Sequence, residues 1–190
     1  MADRTEIKII NSAMTLIVEK GYSQTTTKEI AARAGVNECT VFRKFNSKKD
    51  IVLEAMKMPK WNPNLSESDF TYCGDLKKDL IGFSAVYMKK VTPEMVKLSI
   101  GLRTPDLYEY TAGGIMKIPQ TFKNVLIKYF DEMREKGKIK CKNIDALAMT
   151  FISMNFGFVF LAASFGNKLT DMTKEQYIED SVKIFINGIN

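Results

Sequence analysis

The stretch Thr26-Thr27-Lys28-Glu29-Ile30-Ala31-Ala32-Arg33-Ala34-Gly35-Val36-Asn37-Glu38-Cys39-Thr40-Val41-Phe42-Arg43-Lys44-Phe45 reads as two short helices around one glycine. Thr26 and Glu29, three apart, form a capping box that opens a helix through Ala34. Gly35 breaks that helix. Asn37 is an N-cap for the next one, with Val36 as the apolar residue before it, and this helix runs to about Phe45. The small residues Ala34 and Gly35 allow close helix approach, and glycine permits the turn. The pattern is a helix-turn-helix, whose second helix fits a DNA major groove with its N-terminal residues toward base edges.

Working outward, helical spacing continues on both sides. Ile9, Ile10, Ala13, Met14 and Ile17 line a first helix with Lys20 in its last turn and Gly21 as its stop. Ser47 and Asp50 open a fourth helix through about Met58, and Pro59 ends it. The pattern lapses around Lys60-Trp61-Asn62-Pro63, the expected boundary between a DNA-binding domain (1–58) and a second domain (59–190). Leu76, Leu80, Phe83, Tyr87 and Val91 form the next stripe. Thr92-Pro93 reads as an N-cap with proline at the first helical position. Thr104 to Pro119, rich in Gly, Pro and Tyr, has no clear period. Phe122, Leu126, Tyr129 and Met133 form another stripe, closed by Gly137. The expected class is all-α, with about nine helices in all.

Composition narrows the function. The chain has 190 residues, 45% of them hydrophobic, enough for a sizeable core. It contains no histidine, which removes Ser-His-Asp and Cys-His catalysis and His-ligated zinc. No catalytic constellation appears, so the chain is read as a non-enzyme with no cofactor and no metal site. Cys39, Cys73 and Cys141 match neither a metal nor a disulfide framework, and a reducing, cytoplasmic setting fits them. The net charge of +6 is compatible with nucleic acid without establishing it. The opening residues Met1 to Glu6 are polar and show no signal-peptide pattern.

The residues Ile10, Ala13, Gly21-Tyr22, Thr25-Thr26, Glu29-Ile30-Ala31, Ala34-Gly35-Val36, Thr40 to Phe45 and Ser47-Lys48 together resemble the tetracycline-repressor (TetR) family of bacterial transcription regulators. The match spans about fifty residues, and the remainder resembles the family in architecture. The resemblance implies a homodimeric one-component regulator, in which a small-molecule effector shifts the protein away from a palindromic double-stranded operator. Thr27 and Lys48 resemble phosphate contacts at two helix starts. Lys28, at the start of the first motif helix, is expected to reach phosphate or a base edge. Asn37, Glu38, Cys39 and Thr40 occupy the exposed first turn of the recognition helix. On this resemblance Arg43 and Lys44 are expected to neutralise phosphates, with guanine the alternative partner of Arg43.

Bland readings stand beside these. Asn37 and Ser47 also read as plain helix caps. Glu38 repels phosphate, yet an acid accepts from cytosine N4. Otherwise it is a favourable charge at a helix start. Three positions depart from the family pattern. Phe42 replaces the usual tyrosine and its phenolic contact. Lys44 replaces a frequent histidine. Cys39 replaces a small residue and reads either as a redox sensor or as an inert thiol.

Ala146 to Asn167 carries no charge and is long enough to span a bilayer. Its seam Leu147, Phe151, Met154, Phe158, Leu161, Phe165 has alternating steps of four and three. With Ile178, Val182, Phe185 and Ile189 in the last helix, it suits a soluble four-helix bundle across a two-fold axis, with no membrane partner. The expected dimer interface is Phe151, Phe158, Leu161, Phe165, Ile178, Val182, Phe185 and Ile189. Aromatics and methionines in the middle of the chain suit the wall of a hydrophobic or aromatic ligand's pocket. The residues chosen for it are Trp61, Phe83, Tyr87, Leu102, Tyr108, Phe122, Tyr129, Met154 and Phe158. The alternative is a helical ligand-binding or scaffold protein without specific DNA binding.

Overall fold

Asp3 opens the first helix. Its carboxylate accepts from the Thr5 and Glu6 N–H groups, while Glu6 accepts from the Asp3 N–H, a reciprocal capping box. The computed structural model describes residues 3–189; Met1, Ala2 and Asn190 lie outside them. Nine α-helices, two 3-10 turns and no strand occur among the described residues, so the chain is all-helical. The N-terminal helices are α1 (Arg4–Lys20), α2 (Thr27–Ala34), α3 (Glu38–Lys44) and α4 (Lys48–Ala55). They are followed by α5 (Leu76–Lys90), α6 (Pro93–Gly101), α7 (Pro105–Glu135), α8 (Ile144–Phe165) and α9 (Lys174–Asn187).

Packing divides the chain into two compact units. One is the chain up to Pro63 with Glu94–Met116, and the other is Asn64–Pro93 with Lys117–Asn190. In the first, α1 packs on α2 and α4, and α2 on α3. Ile9, Ile10, Met14 and Ile17 of α1 meet Ile30, Val41, Ile51 and Val52, with Leu98, Leu102 and Leu107 completing the core. The turn between α2 and α3 is closed by two bonds, Val36 N–H to Ala31 carbonyl at 3.0 Å and Gly35 N–H to Ala32 carbonyl at 3.2 Å. This double closure needs a left-handed residue, and Gly35 takes φ +69°.

Two stretches differ from expectation. Helix α4 ends at Ala55, before Met58. The Met58 N–H bonds to the Ala55 carbonyl, and Trp61 and Asn62 both bond to the Met58 carbonyl, so the chain tightens into turns. Trp61 is buried and donates to the Asn11 side chain at 3.0 Å, a tertiary anchor that draws the segment away from the helix path. The aperiodic stretch from Thr104 is helical: α7 begins at Pro105 and continues through Pro119. Proline at the first position has no orphan donor. Inside the helix, Pro119 forfeits one bond, which the buried residues Leu107, Phe122 and Leu126 on either side outweigh.

The second unit packs α5 against α8 and α9. Its core is aromatic. Tyr87 stacks on Phe122 with centroids 4.5 Å apart, Phe83 meets Tyr129 edge-on at 5.0 Å, and Phe151 meets Phe185 at 5.1 Å. A carboxylate is buried in this unit. Asp79 accepts from the Cys73 and Gly74 N–H groups, both at 2.8 Å, from the Cys73 thiol at 3.3 Å and from the Tyr129 hydroxyl at 3.0 Å. These donors satisfy it without a cation. Burial and the neighbouring Asp79 both push the Tyr129 phenol well above its ordinary range.

Candidate nucleic-acid interface

Helices α2 and α3 set the geometry of this face. The capping box of α2 holds: Thr26 and Glu29 bond reciprocally, which fixes where Thr27 and Lys28 stand. Lys20 of α1 also bonds Glu29, and this contact with the Thr26 bonds lowers the Glu29 carboxyl to about 2. Lys28, Asn37, Cys39, Phe42 and Arg43 are exposed, and Thr40 is half-buried. Lys28 and Arg43 take part in no ion pair among the described residues, so both charges are available to an anion. Asn37 occupies the N-cap position of α3, but its side chain makes no cap bond. Its amide is therefore exposed and uncommitted, unlike Ser47, which accepts from the Asp50 N–H at 3.1 Å.

Three residues expected at phosphates are engaged within the protein. The single proton of the Thr27 hydroxyl goes to Glu38 at 2.6 Å, so in this arrangement that hydroxyl has none to offer a phosphate. The Lys44 ammonium bonds Asp3 at 2.5 Å and Glu6 at 3.3 Å. This contact raises the Lys44 pKa and lowers that of Asp3. Asp3 is exposed and Glu6 partly so, which leaves the pair screened enough for a phosphate to compete for the lysine. Lys48 points inward. Its ammonium donates to the Tyr22 carbonyl at 2.6 Å and the Thr25 carbonyl at 2.7 Å, and lies 4.0 Å from the centre of the Tyr22 ring. Partial burial lowers its pKa. Lys48 thus ties the α1–α2 turn to the start of α4. The Lys48 contacts have no local signature.

The expected dimer seam is divided by burial: four of its residues are core and cannot face a second copy, while Leu161 and Phe165 remain exposed. Phe151, Ile178, Val182 and Phe185 are buried within the chain, where they form the core of the second unit. Phe158 is half-buried and stacks on Tyr177 at 4.0 Å, and Ile189 is half-buried. Leu161 and Phe165 are exposed. The exposed apolar residues of α8 are Met149, Phe156, Phe160, Leu161 and Phe165, and α9 adds Ile184. Met149, Phe156 and Phe160 lie two positions on from Leu147, Met154 and Phe158 of the first seam, which are buried or half-buried. Two residues turn a helix by about 200°, which puts this second seam on the opposite side of α8. By length and composition Ile144–Lys168 could cross a membrane. The segment instead uses one seam for the unit's core and presents the other.

The residues expected to line a ligand pocket are divided between the two units. Trp61, Leu102 and Tyr108 belong to the first unit, while Phe83, Tyr87, Phe122, Tyr129, Met154 and Phe158 belong to the second. Tyr108 is exposed, and Leu102 is buried in the first unit's core. Missed by sequence reasoning are two polar atoms in the second unit, Ser84 Oγ and Asn155 Oδ1, each buried with no partner among the described residues.

A basic, polar helix-turn-helix edge of this kind defines a DNA-binding protein. Residues 9–55 match the family described as bacterial regulatory proteins, tetR family, and residues 95–188 match the AefR-like transcriptional repressor C-terminal domain. The HTH-type transcriptional regulator YvkB of Bacillus subtilis is 32% identical over 98% of this chain and 97% of its own. The biofilm operon icaADBC negative regulator IcaR of Staphylococcus aureus is 26% identical over 95% of this chain and 96% of its own. The chain belongs to the TetR family of transcriptional regulators, a non-enzymatic class. Solved structures share the fold. FadR of Bacillus subtilis in complex with stearoyl-CoA has a TM-score of 0.66 at 21% identity, covering 97% of this chain and 99% of that one. PfmR of Thermus thermophilus has a TM-score of 0.70 at 17% identity, covering 99% and 100%.

Proposed function

We propose that this regulator is a cytoplasmic repressor that binds a palindromic operator as a homodimer and is released by a small hydrophobic or aromatic effector. Residues 1–58 are assigned to DNA and residues 59–190 to ligand and partner. The observation that carries the DNA role is the edge of α2 and α3, where Lys28 and Arg43 are exposed and form no ion pair among the described residues, and where the Asn37 side chain makes no cap bond. Support for the homodimer is the exposed seam of α8, because a contiguous apolar patch with several aromatics marks an interaction surface. Two copies related by a two-fold axis bury that patch against itself. Support for the effector is the aromatic core of the second unit, where Asn155 Oδ1 lacks a donor. A molecule with an apolar body and one O–H or N–H group satisfies it. The effector acts by favouring a state in which the two recognition helices no longer match successive major grooves.

The test is binding of the purified protein to DNA from its own gene neighbourhood, at several salt concentrations and with excess competitor DNA. Saturable, sequence-preferring binding with two protomers per site is expected. Weak binding that disappears with salt would reduce the interface to bulk charge and overturn the proposal.

A further inference from the structure

Glu38 is the first residue of α3, on the edge offered to DNA, and it forms no ion pair among the described residues. An uncompensated carboxylate so placed is repelled by phosphates unless it meets a hydrogen-bond donor. Here it is also held still. The Thr27 hydroxyl donates to Glu38 Oε1 at 2.6 Å, and Thr27 itself is fixed at the start of α2 by the Thr26–Glu29 capping box. One oxygen is thus used inside the protein, and Oε2 remains as an acceptor of set direction.

We propose that the Thr27–Glu38 pair reads a C·G base pair: Glu38 accepts from cytosine N4, and Thr27 is the positioning residue. The inference rests on the DNA-binding reading above. Only cytosine N4 and adenine N6 present donors in the major groove. The adenine donor lies between two acceptors, its own N7 and the O4 of the paired thymine, so an acceptor-only carboxylate is repelled on both sides. The cytosine donor is bordered by guanine O6 on one side and by an apolar C5–H on the other. The carboxylate therefore favours cytosine. An amide at the same position reverses the choice, because it offers a donor to adenine N7 and an acceptor to N6.

The experiment is selection of bound duplexes from a randomised double-stranded DNA pool by the full-length protein, followed by titration of the selected duplex with each base pair at the identified position. The wild type is expected to select C·G at one position in each half-site, by about tenfold over the other pairs. Glu38→Gln should switch that position to A·T. Thr27→Val should keep cytosine but shrink the preference several-fold. A duplex carrying N4-methylcytosine at the same position should bind the wild type about tenfold more weakly, a readout that needs no variant. If the wild type selects a sequence but Glu38→Gln alters affinity for all four pairs alike, the proposal falls and the regulator reading stands. An unchanged preference in Thr27→Val removes the positioning role. Binding without any sequence preference overturns both.

Discussion

Lysines that look alike in the chain do unlike work in the protein. Lys28 is exposed and unpaired, whereas Lys48 spends its donors on two backbone carbonyls of the α1–α2 turn. Lys28→Ala should leave stability within about 0.5 kcal/mol of the wild type while weakening DNA binding and lowering the salt slope by about one. Lys48→Met should cost about 1–2 kcal/mol in urea unfolding, because it removes charge-assisted bonds to the turn. A Lys48 variant that unfolds like the wild type would show that the turn stands without it. Glu29 carries a pH dependence. Its folded carboxyl is lowered from an ordinary value of 4.5 to about 2, chiefly by the Lys20 bond. Its contribution is complete above pH 4.5 and is lost as the pH falls through about 2. The difference in melting temperature between wild type and Glu29→Gln should be greatest at neutral pH and fade across that window.

At the scale of elements, caps and turns were legible because their partners are local. The box at Thr26, the N-cap bond from Asp50 to Ser47 and the break at Gly35 follow from three- and four-residue spacings, and the structure has them, although Asp50 does not bond back to close a box at Ser47. Gly35 has open space around its missing Cβ, so the cost of a side chain there lies in the left-handed backbone alone. Gly35→Ala should cost about 1–2 kcal/mol. Gly35→Asn should cost less, since asparagine tolerates that conformation; equal losses in thermal unfolding would contradict this account. The end of α4 and the whole of early α7 were not legible. Trp61 finds Asn11 fifty positions earlier in the chain, and no window of helical spacing contains both. The buried Asp79 is also invisible locally, because its donors come from Cys73, Gly74 and the distant Tyr129. Asp79→Ala should destabilise by about 3 kcal/mol by leaving those donors unmet.

For the whole molecule, the two seams of α8 decide which apolar face becomes core and which stays at the surface, where the proposed dimer would form. Both have helical spacing and both are apolar, so period alone cannot rank them. The core takes Leu147, Phe151 and Ala148, and solvent meets Met149, Phe156 and Phe160. Phe160→Lys should yield a folded monomer in sedimentation and weaken operator binding by more than about tenfold, since each half-site then binds alone. A dimer persisting in that variant, and in Phe156→Lys, would place the interface elsewhere. By itself the sequence determined that the protein is helical, that it holds a helix-turn-helix with a basic edge and that it resembles a repressor family. Those features rest on neighbours three or four residues apart and on side chains that act singly. Only the tertiary structure decided which seam is core, which lysines face outward and which acid Thr27 holds. Each of those outcomes is a competition between surfaces far apart in the chain, settled by what packing leaves uncovered.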